Sequence, residues 1–257
     1  MIRQVASDLE RELEYHEKLY SGFAQRHFAK PAVRAVREHM VSRLVQVLGL
    51  GPRSRVLSVG CGIADTELLL SPKVAEVVGI DLSPSAIDQA VADASRLDIR
   101  NFRGVCGTLE ELAGGLGQFD AVIAIFFLHH LPDAALAAFP QSVAPLLRPG
   151  GMFYGLDPSR HRLSGFIGEW LFPRLMARYQ SPGERQLSPR ATASLFDGEF
   201  DSRFGYYDFV STPLAGLAPS WRGGYRAMRV ADELLIRVPG LRRLSSNFEV
   251  VASRRQA

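Results

Sequence analysis

Residues 55–65 read Arg-Val-Leu-Ser-Val-Gly-Cys-Gly-Ile-Ala-Asp, and residues 76–81 read Glu-Val-Val-Gly-Ile-Asp. Two short β-branched apolar runs flank a segment of helical length, which is the pattern of a βαβ unit with strands buried on both faces. Gly60 and Gly62 lie at the first strand-to-helix turn, where the backbone can bend sharply and present free N–H groups to a ligand. Asp81 ends the second strand, roughly 20 residues after the glycine turn, which is the spacing at which a carboxylate hydrogen-bonds to ribose hydroxyls. The stretch therefore predicts a nucleoside-binding site.

Asp65 decides which nucleoside this turn suits. A dinucleotide-binding turn reads Gly-x-Gly-x-x-Gly, and its third glycine lets the helix pack closely on the strand beside the pyrophosphate. Asp65 occupies that third position. A carboxylate there repels a pyrophosphate but suits a ligand that carries an amino group and a sulfonium. The sequence therefore disfavours NAD.

Three further motifs follow the glycine turn within residues 50–157. They are the stretches 78–84 (Val-Gly-Ile-Asp-Leu-Ser-Pro), 119–124 with 128–132 (Phe-Asp-Ala-Val-Ile-Ala, then Leu-His-His-Leu-Pro), and 146–151 (Leu-Leu-Arg-Pro-Gly-Gly). In this order the four motifs resemble the class I methyltransferases that use S-adenosylmethionine. The resemblance implies an α/β fold with a doubly wound, seven-stranded, mostly parallel Rossmann-like sheet. Its last strand is expected to be antiparallel and at the edge.

The resemblance also implies a donor site for S-adenosylmethionine, with S-adenosylhomocysteine as the product and no metal. The positions matched to that site are Ser58, Gly60, Cys61, Gly62, Asp81, Leu82, Thr108, Leu109, Ala124 and Ile125. Ser58 departs from the family, in which an acid usually holds the methionine amino group. The departure implies either weaker binding of the donor or a substitute acid such as Asp65 or Glu67. Thr108 stands where an aspartate usually accepts from the adenine amino group, and a hydroxyl can still accept that hydrogen bond.

Three polar residues after the fourth and fifth strands are candidates for removing a proton from the acceptor. His129 follows the fourth strand, and Asp157 and His161 lie in the loop predicted after the fifth. Ligands of doubly wound sheets bind beyond the carboxyl ends of the strands, and histidine titrates near neutral pH. His129 and the neighbouring His130 also recur as a pair in the family, where they are part of the scaffold. A polar loop such as the one with Asp157 and His161 is usually only solvated. Catalytic and structural roles both stay open for these residues.

The whole chain is predicted to divide into a helical cap over 1–50 and a methyltransferase domain over 51–257. The cap contains helices over 7–20 and 31–48. An insert over about 158–198 is expected to cover the acceptor. A dimer face and an interfacial helix are the alternatives for the apolar helix predicted within it at 166–179. Two later helices carry specific expectations. The helix over 83–97 is expected to bury Ile87, Val91 and Ala94, and a helix over 226–237 is expected to bury Met228, Ala231, Leu234 and Leu235.

Composition limits the class of protein. The 257 residues have a formal net charge of +3, and no apolar run reaches the ~18 residues of a membrane span. With no apolar signal core at the N-terminus, a cytoplasmic protein without stable membrane insertion is expected. Cys61 and Cys106 are too few for a disulfide framework, and zinc-ligand spacing is absent. After residue 150 the chain has 15 basic and 10 acidic residues, which allows an anionic acceptor, although a coding bias towards arginine explains it equally well.

The function implied by the resemblance is methyl transfer to a small-molecule acceptor. An oxygen of a natural product or of a sugar-containing intermediate is the leading expectation, and carbon or nitrogen methylation is the next. The segment 125–128 (Ile-Phe-Phe-Leu) replaces the Asn/Asp-Pro-Pro-Tyr motif of enzymes that methylate amide or base nitrogens. A nucleotide-dependent oxidoreductase and a non-catalytic protein on the same fold are the alternatives. The chain lacks a lysine-rich patch and is not expected to bind nucleic acid, and a homodimer is left open.

Overall fold

The computed structural model describes residue 17 and residues 23–163, 165 and 185–255. Within them, seven strands form one sheet. The strands are β1 (Arg55–Val59), β2 (Glu76–Asp81), β3 (Phe102–Cys106), β4 (Phe119–Ile125), β5 (Leu147–Pro158), β6 (Phe200–Asp208) and β7 (Asn247–Arg254). Their order is β3-β2-β1-β4-β5-β7-β6. Strands β1 to β5 pair in parallel, and β7 pairs antiparallel with both β5 and β6.

This sheet confirms the predicted fold class and corrects one detail of it. The doubly wound arrangement and the antiparallel β7 are as expected. The expectation that β7 is an edge strand is wrong, because β7 lies between β5 and β6 and leaves β6 at the edge. β7 is therefore paired along both sides, and its residues from Asn247 to Ala252 are buried.

Helices cover both faces of the sheet. They are α1 (Phe23–Phe28), α2 (Pro31–Leu48), α3 (Glu67–Leu70), α4 (Pro84–Arg96), α5 (Leu109–Leu116), α6 (Asp133–Val143), α7 (Pro189–Ser194), α8 (Ser211–Leu217) and α9 (Arg222–Leu235). The two largest apolar clusters lie on opposite faces of the sheet, one between the sheet and α2, α8 and α9, and the other between the sheet and α5, α6 and α7. The carboxyl ends of β1, β2 and β4 meet at one edge of the sheet, which is where a ligand is expected.

Local signals set several helix ends. Pro31 begins α2, and Gly49 ends it in the left-handed conformation at φ 61°. Ser83 caps α4, because its hydroxyl accepts from the Ala86 N–H group at 3.1 Å. The predicted helix over 7–20, apart from Glu17, and the predicted helix over 166–179 lie outside the described residues. In the described part of the chain, no helix is both long enough and apolar enough to cross a membrane.

Two inward-facing predictions are wrong. Val91 in α4 is 47% exposed, and Ala90 is buried in its place. Leu234 in α9 is 61% exposed, whereas Asp232 in the same helix is buried. The Asp232 carboxylate accepts from the N–H groups of Val210 and Ser211 at 3.1 and 2.9 Å. These hydrogen bonds at the start of α8 fix the rotation of α9, so the helix does not turn its most apolar side to the core.

Candidate functional site

The glycine turn after β1 is locked to the end of β2. The N–H groups of Gly60 and Cys61 both donate to the Ile80 carbonyl, at 2.9 and 3.0 Å. Gly60 and Gly62 have φ angles of 69° and 52°, in the left-handed region that favours glycine. A Cβ atom at Gly60 would lie 2.1 Å from the Phe127 ring. Both the backbone conformation and this close contact therefore require glycine at position 60.

Asp81 lies beside this turn at the carboxyl end of β2. Its Oδ2 atom accepts from the Gly62 N–H group at 2.8 Å, and its Oδ1 atom accepts from the Ser83 N–H group at 2.9 Å. Each carboxylate oxygen has a second lone pair. Asp81 can therefore hold the turn and also accept from two ribose hydroxyls. The Ser83 hydroxyl in turn donates to Glu17 at 2.5 Å, which lowers the pKa of Glu17.

Ser58 and Glu67 form a buried pair beneath the turn. The Ser58 hydroxyl donates to Glu67 Oε1 at 2.6 Å. Burial raises the pKa of Glu67 to about 7, while the hydrogen bond from Ser58 acts in the opposite direction. Of the two acids expected to compensate for Ser58, Glu67 is the one that contacts it. Binding of the methionine amino group by Glu67 stays a prediction.

Arg37 is a residue of the site that the sequence did not single out. Its Nε atom lies 2.5 Å from Asp65 Oδ2, and its guanidinium carbon lies 5.2 and 5.7 Å from the ring centroids of Phe28 and Phe126. Phe126 has a φ of 54°, a strained conformation for a bulky residue and one that is common at functional sites. The contacts of Arg37 join the cap to the glycine turn and to the end of β4.

One signal in the sequence could have identified Arg37. The inner side of α2 is an apolar stripe, and Arg37 lies four residues after Val33 within that stripe. A charged residue at an inward position needs a buried partner. The sequence alone gives no way to tell that this partner is Asp65.

His129 and Asp157 lie together although 28 residues separate them in sequence. His129 Nδ1 is 2.8 Å from Asp157 Oδ1, the His129 N–H group donates to the same oxygen at 3.2 Å, and both side chains are buried. A carboxylate only accepts, so Nδ1 carries the proton and Nε2 is the nitrogen able to take one. Asp157 is the penultimate residue of β5, so the predicted loop position is wrong. His161 is exposed beyond β5 and does not hydrogen-bond to this pair.

Comparison with known proteins places the chain in a family. Residues 56–151 match the family described as a methyltransferase domain. An uncharacterized methyltransferase of Synechocystis is 34% identical over 125 residues, and the match spans 49% of this chain and about half (54%) of that relative. The ubiquinone biosynthesis O-methyltransferase of Methylocella silvestris is 30% identical over 210 residues, which cover 76% of this chain and 79% of that protein. The chain belongs to the class I S-adenosylmethionine-dependent methyltransferases.

The fold of this methyltransferase agrees with solved structures. The magnesium protoporphyrin IX methyltransferase of Synechocystis, solved with bound S-adenosylhomocysteine, superimposes with a TM-score of 0.62 at 15% identity. The superposition covers 93% of this chain and 97% of that one. The methyl donor is S-adenosylmethionine, and the alternative of a dinucleotide-dependent oxidoreductase is not supported.

The charges around the turn fit this donor. Asp65, Glu67 and Asp81 bring three carboxyl groups to the glycine turn, and among the described residues only Asp65 is paired with a cation. Such a site favours a ligand with an ammonium and a sulfonium group and disfavours a pyrophosphate. Among the described residues, no group of three or more His, Cys, Asp or Glu side chains is arranged to hold a metal ion.

The other predicted donor residues surround the same edge of the sheet. Thr108 caps α5: its hydroxyl accepts from the Glu111 N–H group at 3.2 Å, and its own N–H group donates to the Glu111 carboxylate at 3.0 Å. The Thr108 oxygen keeps a lone pair for the adenine amino group, so its predicted role stays a prediction. The remaining positions differ in burial: Cys61, Leu109 and Ala124 are buried, and Leu82 and Ile125 are partly buried.

Replacing Asp81 with alanine is expected to weaken S-adenosylhomocysteine binding by about 1–3 kcal/mol, the scale for leaving polar partners unpaired. Titration calorimetry measures this loss. Asp120→Ala is the matched control, because Asp120 also accepts from a backbone N–H group, that of Arg55 at 2.7 Å, but at the amino end of the sheet. Unchanged affinity in Asp81→Ala, or an equal loss in Asp120→Ala, would contradict the assignment of Asp81 to the ribose.

Glu67 is expected to make the free energy of unfolding depend on pH. Its pKa of about 7 in the folded protein exceeds its ordinary value of 4.5, so folding takes up a proton. The resulting stabilisation is fully present below pH 4.5 and is lost as the pH rises through 7, a change of up to about 3 kcal/mol. Glu67→Gln stays neutral at every pH. Urea titrations without donor should therefore show the wild type losing stability relative to Glu67→Gln over this range.

The control for this measurement is Glu76→Gln. Glu76 is partly buried and lies 2.7 Å from Arg55 at the amino end of β2. This variant measures how far removal of a carboxylate that lies outside the glycine turn changes the free energy of unfolding. If the wild type and Glu67→Gln have parallel pH dependences, Glu67 does not bind a proton on folding.

Proposed function

We propose that this methyltransferase acts on a hydroxyl group of a small-molecule acceptor, with His129 as the general base and Asp157 as its positioning partner. The observation that carries the proposal is the buried 2.8 Å contact between His129 Nδ1 and the Asp157 carboxylate, immediately after β4 and near the end of β5. A base oriented by a carboxylate is the arrangement that enzymes use to accept a proton at the other imidazole nitrogen.

The donor supplies a methyl group that its positive sulfur has already activated. The acceptor oxygen forms the new C–O bond while the S–CH₃ bond breaks, and the sulfonium becomes a neutral thioether. His129 Nε2 takes the hydroxyl proton, and Asp157 stabilises the imidazolium that results. Ile125 and Phe126 supply an apolar wall that keeps water from the reacting groups. The chain's main contributions are thus alignment, water exclusion and removal of one proton.

The His129–Asp157 pair favours oxygen over nitrogen as the methylated atom. A hydroxyl must lose its proton as it attacks, whereas a neutral amine attacks with a free lone pair and needs no base beforehand. The name of the relative from Methylocella silvestris is also that of an O-methyltransferase. Carbon methylation, which also requires proton removal, is the second candidate.

The charge at the apolar wall favours an uncharged or phenolic acceptor. Arg37 lies against Phe126, but Asp65 already neutralises it at 2.5 Å. An anionic acceptor would have to displace Asp65 from Arg37, at the cost of a buried carboxylate without its partner. The expectation of an anionic acceptor is therefore replaced by that of a neutral one with an apolar body.

The predicted cap over residues 1–50 is part of this proposal. Two contacts join it to opposite sides of the donor site: Glu17 to Ser83 near Asp81, and Arg37 to Asp65 at the glycine turn. We expect the cap to restrict entry of water and of the acceptor when the donor is bound.

The test is label transfer from methyl-labelled S-adenosylmethionine to a panel of phenols, aliphatic alcohols and amines of matched apolar bodies, together with a metabolite extract. Mass spectrometry of the products locates the methyl group. Label on a hydroxyl oxygen supports the proposal. Label on nitrogen, or transfer that does not depend on His129, refutes it.

A further inference from the structure

The outer side of α9 carries apolar and basic side chains in one row. Arg226, Val230 and Leu234 are spaced four residues apart and so follow one another along one side of α9, and Val238 lies in the turn just beyond the end of the helix. Val230 and Leu234 are 63% and 61% exposed, and Val238 is 46% exposed. We call this row, together with Arg237, the α9 face.

The position of Asp232 causes this exposure. Residues two positions apart lie on nearly opposite sides of a helix, and Asp232 points inward to α8 at 2.9 Å from the Ser211 N–H group. Val230 and Leu234 flank Asp232 at two positions on either side and are therefore directed outward. Their exposure is fixed by a buried hydrogen-bonding group and does not reflect a loosely packed helix.

Within the described part of the chain, the arginines of the α9 face have no acidic partner. Arg226 and Arg237 are exposed, and neither forms an ion pair with any residue that the structure describes. Glu233, the exposed acid of α9, already lies 3.8 Å from Arg229. Residues 222–244 contain six arginines, no lysine and two acids, one of which is the buried Asp232. The surface around the exposed aliphatic side chains is therefore positive.

We propose that the α9 face binds the surface of an anionic lipid bilayer. Aliphatic side chains flanked by arginines are the combination that inserts shallowly at a bilayer interface while the cations contact lipid phosphates. This is a surface contact and not a membrane span. A second copy of the chain is a poorer occupant, because a two-fold contact would place the same unpaired arginines against each other.

A second exposed apolar site on the molecule provides the matched control. Val91 on α4 and Leu97 directly after its last residue are 47% and 51% exposed, which is comparable to the α9 face. The neighbouring Arg96 and Arg100 are each paired, with Asp93 at 2.9 Å and with Asp98 at 3.0 Å. This site has exposed aliphatic side chains without a positive surface, so it should not bind anionic lipid.

The test is co-sedimentation of the full-length protein with vesicles of phosphatidylcholine alone and of equimolar phosphatidylcholine and phosphatidylglycerol. Binding is expected only to the anionic vesicles and should fall at high salt. The double variant Arg226→Gln/Arg237→Gln should lower the partition coefficient roughly 30-fold, because each arginine near an anionic surface raises the partition coefficient about fivefold. Val230→Ser with Leu234→Ser should lower it roughly 10-fold or more.

Val91→Ser with Leu97→Ser should leave binding unchanged, and thermal melts establish that every variant is folded. Equal binding to both vesicle types, no binding to either, or equal loss in the α4 control would overturn the proposal. Analytical ultracentrifugation tests the other occupant. If the wild type is a dimer that Val230→Ser with Leu234→Ser converts to a monomer, the α9 face is a subunit interface instead.

Discussion

Gly60→Ala is expected to abolish detectable binding of S-adenosylhomocysteine and to lower the free energy of unfolding by about 2–5 kcal/mol. About 1–2 kcal/mol of this comes from holding a residue with a Cβ atom at a φ of 69°. A further 1–3 kcal/mol or so comes from overpacking, because the new Cβ would lie 2.1 Å from the Phe127 ring. To relieve the clash, either Phe127 or the turn must move, and the turn positions Gly62 against Asp81. Urea unfolding and titration calorimetry measure the two effects.

Gly49→Ala separates these two contributions. Gly49 has a similar φ of 61°, but a Cβ atom there would have no neighbour within 4 Å. This control should lose only about 1–2 kcal/mol of stability and no donor affinity. If Gly60→Ala loses no more than Gly49→Ala, the contact with Phe127 is not what makes glycine necessary at position 60.

The elements that local sequence determines could be predicted closely. Pro31 and Gly49 delimit α2, and the strand ending in Asp81 has the predicted bounds, because caps, turns and buried β-branched runs act within a few residues. The family motifs added the doubly wound, mostly parallel sheet and the donor. None of these inferences needed information on which distant residues meet.

The features that were missed all depend on contacts between distant residues. Glu67 contacts Ser58 only because α3 lies against the end of β1, and nothing in the sequence favours Glu67 over Asp65 for this contact. The short helix α8 was not expected, since it contains Pro213 and Gly216 and is held by the carboxylate of Asp232 from another helix. Its stability comes from tertiary hydrogen bonds more than from its own residues.

The candidate catalytic residues illustrate the same limit. The sequence selected His129, Asp157 and His161 as three separate candidates near the ends of β4 and β5. The structure brings the first two together, because β4 and β5 are parallel neighbours whose carboxyl ends lie side by side, and leaves His161 exposed. Pairing of the strands could be inferred from the fold, but the direction of each side chain could not.

His129→Ala is expected to lower kcat by about 10²–10⁴-fold with little change in donor affinity, the range typical of losing a general base. The comparison is made at saturating S-adenosylmethionine with an acceptor identified by label transfer. Raising the pH should partly restore the activity of His129→Ala with a phenolic acceptor. At higher pH more of the phenol is already ionised in solution and needs no base in the protein. A residue with a purely structural role would not give this recovery.

His161→Ala distinguishes His129 from the other histidine candidate. His161 is exposed and outside the buried pair, so this variant should keep wild-type kcat. Asp157→Asn should also lower kcat, because an amide has no negative charge to stabilise the imidazolium and can hold His129 in the wrong tautomer. If His161→Ala loses activity and His129→Ala does not, His161 is the base and the His129–Asp157 pair only holds the end of β4 against β5.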